Sequence, residues 1–402
     1  MLISGPIEAL RKVIMTYSDG STHDKLVLWD EEALKNVDWS NPGTYEIPGT
    51  VFQRRWPFPI PLSPLPESMG FPARRRFGTI SDPCITCYKG KYILTSSGPF
   101  IMRISDKLEE VHSAPVIRYG KGFGAAQELH IIHNVPYIFT SCHMGDMSKH
   151  EWWVVDGYIL RCHGEIDDPD AWEEPRMVVK PNGKKLTENG LSIDISYFCD
   201  NNVHYAIWSD RKIHMVDGEF VERVSPEPAD IYIATIDPDE PWQLTSEPQC
   251  IIRPMYGWDR CETEVDEGPY ILRHGDDLFI CISGSSTGMS DLYTLGFLRA
   301  RTGTNLLNPS NWEWIAYPFL TKESFPNQFG PGHCNFFKDD VTGDDLMSFH
   351  AVPHDEDGLS LGRMPGIRRV HWAKTGLPYL EMSEERDLSP EYRHVTLKLT
   401  IR

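Results

Sequence analysis

The chain lacks the features that tie a protein to a membrane or a nucleic acid. No apolar run among its 402 residues is long enough to span a bilayer, and Met1-Leu2-Ile3-Ser4-Gly5-Pro6 has no basic stretch leading into an apolar one. Positive charge is scarce: 39 Lys and Arg face 58 Asp and Glu, a formal net charge of -19. Such a field repels phosphate backbones and anionic lipid, so no nucleic acid and no membrane insertion is expected. A neutral sugar would feel little of it. As written, the protein is expected to be soluble and cytoplasmic, or periplasmic or secreted if a leader has been trimmed away. Cysteine supplies no framework. The nine are scattered, and Cys84-Ile85-Thr86-Cys87, with its redox or zinc spacing, has no second pair near it. It reads as ordinary buried thiols on a strand. Long helical periodicity is missing too, which argues against a helical fold.

What is present suits many short strands and turns: 31 Gly, 31 Pro, 12 Trp, 16 Tyr and 17 Phe. One pattern recurs. In Glu267-Gly268-Pro269 a carboxylate precedes a Gly-Pro break, and two β-prone runs follow, joined by a turn at His274–Asp277. Related stretches open at Asp82, Glu128, Asp194 and His333, so four of five copies begin on a carboxylate. Further strands follow in each unit, such as Tyr158-Ile159-Leu160 and Ile231-Tyr232-Ile233. The pattern predicts an all-β chain whose residues 76–402 form a five-bladed β-propeller.

Residues 1–52 differ. Val13–Tyr17, a turn at Ser18–Ser21, Lys25–Trp29 and Pro42–Val51 read as strands. Their Pro-Gly-Thr-Tyr and Gly-Thr-Val runs resemble a bacterial immunoglobulin-like module. Three or four strands are fewer than the roughly seven of a full sandwich, so the module is either cut short or leans on the next domain. Residues 53–75 are proline-rich (Trp56-Pro57-Phe58-Pro59-Ile60-Pro61) and are expected to be a stiff linker, unless Trp56 and Phe58 pack on the propeller or rim a pocket.

In a propeller, matching positions of the innermost strands converge near the axis. Asp82, Asp194 and Glu267 are therefore expected to share a cavity, with Glu128 and His333 nearby. Clustered carboxylates raise one another's pKa, so one tends to keep its proton while another stays charged. Glycoside hydrolysis needs that pairing: an acid for the leaving oxygen and a base for water. Asp-Pro or Glu-Gly-Pro alone is an ordinary turn signal. Recurrence at the head of successive repeats is what points to a site.

From about Arg76 onward several runs occur in a telling order: Ser81-Asp82-Pro83; Ser192-Ile193-Asp194-Ile195-Ser196-Tyr197-Phe198; Arg253-Pro254 and Trp258-Asp259 leading to Asp266-Glu267-Gly268-Pro269; Asn308-Pro309-Ser310-Asn311-Trp312; and Gly330-Pro331-Gly332-His333. Together they resemble glycoside hydrolase family 43, a five-bladed propeller family of arabinofuranosidases, xylosidases and arabinanases. The resemblance implies Asp82 as general base, Glu267 as general acid and Asp194 as the residue tuning and orienting that acid. His333 matches an axial histidine that holds an ion or water; it reads equally as a satisfied core histidine. No cofactor is implied beyond a structural calcium or sodium ion there. The second blade departs from Trp-Ala-Pro-Glu, reading Ala125-Ala126-Gln127-Glu128, and Ile195 replaces a proline. Glu128, Phe198, Trp258 and Trp153 are candidate substrate contacts, although each aromatic is more often core than contact. The expected function is an inverting, exo-acting glycosidase releasing α-L-arabinofuranose from arabinose- or xylose-containing plant polysaccharide. A β-xylosidase, a galactan-acting enzyme and a silent glycan-binding propeller are the alternatives.

Overall fold

A computed structural model describes residues 11–65, 80–143, 154–188, 190–213, 215–216, 219–220 and 227–402. It separates two units. One holds the chain up to Trp56 together with Asp339–Asp345 and Arg368–Arg402; the other holds Pro57–Lys338 and Leu346–Ile367.

In the smaller unit, Lys12–Thr16, Thr22–Trp29, Gly43–Val51 and His394–Ile401 form one antiparallel sheet in that order. The last strand lies far from the others in sequence. His394–Ile401 alternates polar with apolar residues, the pattern of a strand buried on one face. Its Leu397, Leu399 and Ile401 join Ile47, Val37 and Trp29 in the core, and it pairs with Gly43–Val51 from His394↔Thr50 to Ile401↔Gly43. The expected run of propeller to residue 402 is corrected accordingly, and the shortage of strands in 1–52 is made up from the other end of the chain. A short helix, Glu31–Lys35, starts where Asp30 accepts a hydrogen bond from the Ala33 N–H at 2.7 Å.

The larger unit is the five-bladed propeller. Its first blade is Cys84–Tyr88, Lys91–Thr95, Gly98–Ser105 and the start of Val116–Ile132. That 17-residue strand continues into the second blade, pairing there with Val135–His143, which is followed by Val155–Arg161. Gly190–Asp200, Val203–Lys212, Asp230–Thr235 and Gln249–Ile252 make the third. Asp266–His274, Asp277–Gly284, Thr294–Arg301 and Glu313–Trp314 make the fourth, and Phe329–Lys338, Asp345–Val352 and Met364–Arg369 the fifth. Apolar side chains of neighbouring blades interdigitate: Ile207, Ile231 and Ile233 of the third pack with Leu278, Ile280 and Leu298 of the fourth. The last blade meets the first through side chains. Asn335 Oδ1 accepts from the Ile85 N–H at 2.9 Å, and the Ser348 hydroxyl donates to the Pro83 carbonyl at 2.8 Å. Among the described residues, no helix is long and apolar enough to cross a membrane.

Candidate active site

Near its start, each inner strand carries a residue with left-handed backbone: Asp82 (φ 57°), Ala126 (47°), Asp194 (56°), Gly268 (58°) and His333 (47°). In the second, third and fourth blades the pairing register slips there, between Ala125 and Glu128, Ile193 and Ser196, and Glu267 and Tyr270. These are β-bulges, which re-aim side chains and recur beside active sites. A non-glycine residue held this way costs roughly 1–3 kcal/mol. At Gly268 the requirement is strict, because an added Cβ would lie 3.0 Å from His333 Nδ1.

Backbone groups at the bulges are bonded to side chains at the end of the preceding blade's second strand. The Asp82 N–H donates to His350 Nδ1 (3.2 Å), Ala126 to Ser97 Oγ (2.7 Å), Asp194 to Ser141 Oγ (2.9 Å) and His333 to Ser283 Oγ (2.8 Å). In the fourth blade the Ser209 hydroxyl donates to the Asp266 carbonyl at 2.6 Å. The ring is thus stitched blade to blade. Its signal was in the sequence, since four second-strand segments carry a serine close to their ends (Ser97, Ser141, Ser209, Ser283).

The bulges correct two matches between the repeats. The second-blade counterpart of Asp82 and Asp194 is Ala126, not Glu128, and the fourth-blade counterpart is Gly268, with Glu267 one residue before it. Glu128 falls two residues further along, is buried, and pairs with His130 Nε2 at 2.7 Å instead of lining the cavity. Phe198 is also withdrawn, stacked on Tyr205 at 5.0 Å between the third and fourth blades. Trp258 packs over Gly284 and Gly296, against Tyr256 and Trp314, and its indole N–H donates to the Ala316 carbonyl at 3.1 Å. Neither aromatic lines the cavity. Trp153 lies outside the described residues.

Asp82, Asp194, Glu267 and His333 do share one cavity, of about 700 Å³. Asp82 Oδ2 accepts from the Ser97 hydroxyl. Oδ1 is buried without a hydrogen-bond partner, and lies 3.4 Å from His333 Nδ1, 3.2 Å from His350 Nδ1 and 3.6 Å from the Arg363 guanidinium. Burial would raise the pKa of this carboxyl. His333 and Arg363 outweigh it and hold Asp82 far below the usual carboxylate range. His350 itself is pushed down to about 4 by burial, so it is a neutral ring. Its Nδ1 already accepts the Asp82 N–H, so the short His350–Asp82 approach is not an ion pair.

Asp194 goes the other way. Burial, with Glu267 and Asp82 adding to it, raises its pKa to about 7 against the opposing pull of His333 and the Gly268 N–H. That N–H donates to Asp194 Oδ2 at 3.0 Å. Glu267 is raised as well, by burial first, although His333 and the Tyr293 hydroxyl (2.8 Å from Oε1) lower it. The two carboxyls interact strongly, so the pair holds a proton into the neutral range and the effect of each on the other is reciprocal. Burial opposes the charged form of His333, but Asp82, Asp194, Glu267 and Glu128 more than offset this and its pKa rises. Asp194, Glu267 and His333 each offer a donor atom within 4.8 Å of the others. Arg363, His350, Ser97 and Tyr293 were not anticipated from the repeats. Arg363 and Tyr293 lie outside the repeated segments and carry no periodic signal.

A buried, ring-stitched set of one anionic carboxyl and a pair that holds a proton can serve acid–base chemistry. Residues 81–378 match the family described as Glycosyl hydrolases family 43. The chain belongs to glycosyl hydrolase family 43. Residues 11–53 match a bacterial Ig-like domain of group 4. This family 43 protein is 25% identical over 315 residues to Alpha-L-arabinofuranosidase 43 of Humicola insolens, covering 74% of this chain and 60% of that relative. It is 24% identical over 305 residues to the extracellular exo-alpha-(1->5)-L-arabinofuranosidase of Streptomyces avermitilis, covering 72% and 58%. The chain therefore spans about 60% of the length of these curated relatives. Among solved structures, an alpha-L-arabinofuranosidase from Lactobacillus brevis matches with a TM-score of 0.63 at 21% identity, over 74% of this chain and 93% of that one. At that identity the likeness shows the fold alone.

Proposed function

We propose that this family 43 protein is an inverting, exo-acting α-L-arabinofuranosidase acting on arabinose-bearing plant polysaccharide. The observation carrying this reading is the division among three carboxyls in one cavity: Asp82 kept anionic, Asp194 and Glu267 pushed towards their protonated forms. Asp82 Oδ1, the oxygen not held by Ser97, takes a proton from water as that water attacks the anomeric carbon. The bond to the leaving oxygen breaks while Glu267 donates its proton to that oxygen. The sugar leaves with inverted configuration, Asp82 protonated and Glu267 anionic, and proton exchange restores both. Tyr293 occupies Glu267 Oε1, which leaves Oε2 to carry the proton. Asp194 raises the acid's pKa and, through the Gly268 N–H, holds the backbone beside it.

Arabinofuranose as the sugar is supported by the names of both curated relatives. No organic cofactor is needed for this chemistry. Asp194, Glu267 and His333 do not fit a calcium ion, which takes about six to eight oxygen ligands; a cation between them would also drive off the proton the acid has to donate. For an ion at His333 with water, as the resemblance implies, no step is required. The test is a panel of aryl glycosides. Turnover of the arabinofuranoside is expected, with the β-anomer of arabinose appearing first in proton NMR. Preferred turnover of the xyloside or galactoside would reassign the sugar, the α-anomer first would overturn the mechanism, and no turnover of any would leave a glycan-binding propeller.

A further inference from the structure

The proline-rich stretch expected to be a linker runs along the propeller as far as Leu65. Pro57, Pro59, Pro61 and Pro64 are exposed, whereas Phe58, Leu62, Ser63 and Leu65 are half-buried and Ile60 is buried. Over Pro57–Leu62 this is the two-residue alternation of extended chain laid on a surface. Proline has no N–H to satisfy, so it suits the outward positions. The N–H groups that remain are used: Ile60 donates to the Pro365 carbonyl at 3.0 Å and Ser63 to the His112 carbonyl at 3.3 Å. Phe58 stacks on Phe349 at 6.1 Å. Arg103 fixes the far end. Its buried guanidinium donates to Ser63 Oγ (2.7 Å), the Ser63 carbonyl (2.6 Å) and the Ala114 carbonyl (2.6 Å). A buried cation committed to three fixed acceptors sets this segment in one place.

The consequence lies in the cavity. Leu62, Ser63 and Leu65 line it on the side of the first blade, with Phe123, which is 52% exposed where Val116–Ile132 passes from the first blade to the second. Hydrolysis itself involves the sugar held between Asp82 and Glu267. An apolar and aromatic wall in the same cavity suits the C–H face of another sugar ring. We propose that Leu62, Leu65 and Phe123 form a second subsite that receives the neighbouring sugar unit of a chain substrate and sets a preference for oligosaccharides over single-sugar glycosides. This rests on the glycosidase reading above and adds to it where specificity resides.

The experiment compares kcat/KM for α-(1→5)-arabinotriose with kcat/KM for an aryl arabinofuranoside, in the wild type, in Leu62→Ala/Leu65→Ala and in Phe123→Ala, with melting curves to show that each is folded. These side chains are at most half-buried, so the variants are expected to fold. The ratio of triose to aryl glycoside should fall by about tenfold or more in each variant, mainly through KM, as expected for lost apolar contacts in a specificity pocket. A ratio within about twofold of wild type overturns the subsite. If the wild type cleaves aryl xyloside instead, the sugar assignment fails and the same ratio is read with xylotriose. If it cleaves neither, calorimetric binding of arabinotriose decides: weaker binding in the variants supports the subsite, and unchanged binding overturns it.

Discussion

The two units bury charge in opposite ways. In the smaller unit, Asp387 is buried but fully matched: Arg369 donates to it from Nε at 2.9 Å and Nη2 at 2.7 Å, Tyr17 from its hydroxyl at 2.8 Å, and Lys25 lies 3.6 Å away. Burial would raise its pKa, yet Arg369 and Lys25 bring it down to about 2. In the propeller, Asp194 is just as buried but accepts one backbone N–H and faces two other carboxyls, and its pKa rises to about 7. Matched charge of the first kind fixes a structure; mismatched charge of the second kind holds a proton at neutral pH. Asp82 shows the same contrast within one cavity, because it faces both His333 and Arg363, whereas Asp194 faces His333 together with two other carboxyls. In the proposed mechanism, acid and base are separated by their neighbours, not by residue type.

The largest expected effect is on the matched anion of the cavity. Asp82→Asn should lower kcat by about 10²–10⁴-fold whatever the leaving group, with the fold intact, since water then has no base. Turnover within a few-fold of wild type would remove Asp82 from that role. In the smaller unit, Asp387→Asn leaves Arg369 buried without its anion and should cost about 3–5 kcal/mol of stability, read by chemical denaturation, while the folded protein keeps its kcat/KM. Asp387 has a depressed pKa, so its contribution is present above the unfolded value near 3.9 and fades as pH falls towards 2. The gap between wild type and variant should therefore narrow in acid; a gap that stays constant would mean that its charge is not what stabilises.

The smallest effect is the most informative about mismatch. Asp194 has a raised pKa, so its contribution to stability is full below about 4 and is lost as pH rises through about 7. Asp194→Asn should then melt above wild type at pH 8 and lose that advantage near pH 4, while turnover falls. It should also shift the alkaline limb of the kcat/KM profile to lower pH, because the acid no longer has an anion beside it. An unmoved limb would leave Asp194 only its hydrogen bond to the Gly268 N–H.

Repetition made much of this legible. Strand runs headed by Asp82, Asp194, Glu267 and His333 recur, and recurrence in a propeller means convergence. Counting along the chain failed where the backbone adds a residue: the bulge at Ala126 moves Glu128 away from the cavity, and no letter in the sequence marks it. Phe198 and Trp258 failed for a different reason, since an aromatic residue looks the same whether it faces a sugar or a neighbouring blade. The place of His394–Ile401 in the smaller sheet was not legible: its alternation marks a strand, but pairing across the whole chain leaves no local pattern that names the partner. Composition declared 57–65 extended but not what it lies against; that is decided by Arg103, some forty positions later in the chain.

Acid and base can be told apart most directly through the leaving group. Glu267→Gln keeps the side-chain size and loses the carboxylic proton, which a basic sugar alkoxide needs and a dinitrophenolate hardly does. Measured on arabinan and on a dinitrophenyl arabinofuranoside, Glu267→Gln should lose about 10³-fold on the first and far less on the second, whereas Asp82→Asn should be equally impaired on both. If Glu267→Gln is equally impaired on both substrates, Glu267 is not the general acid.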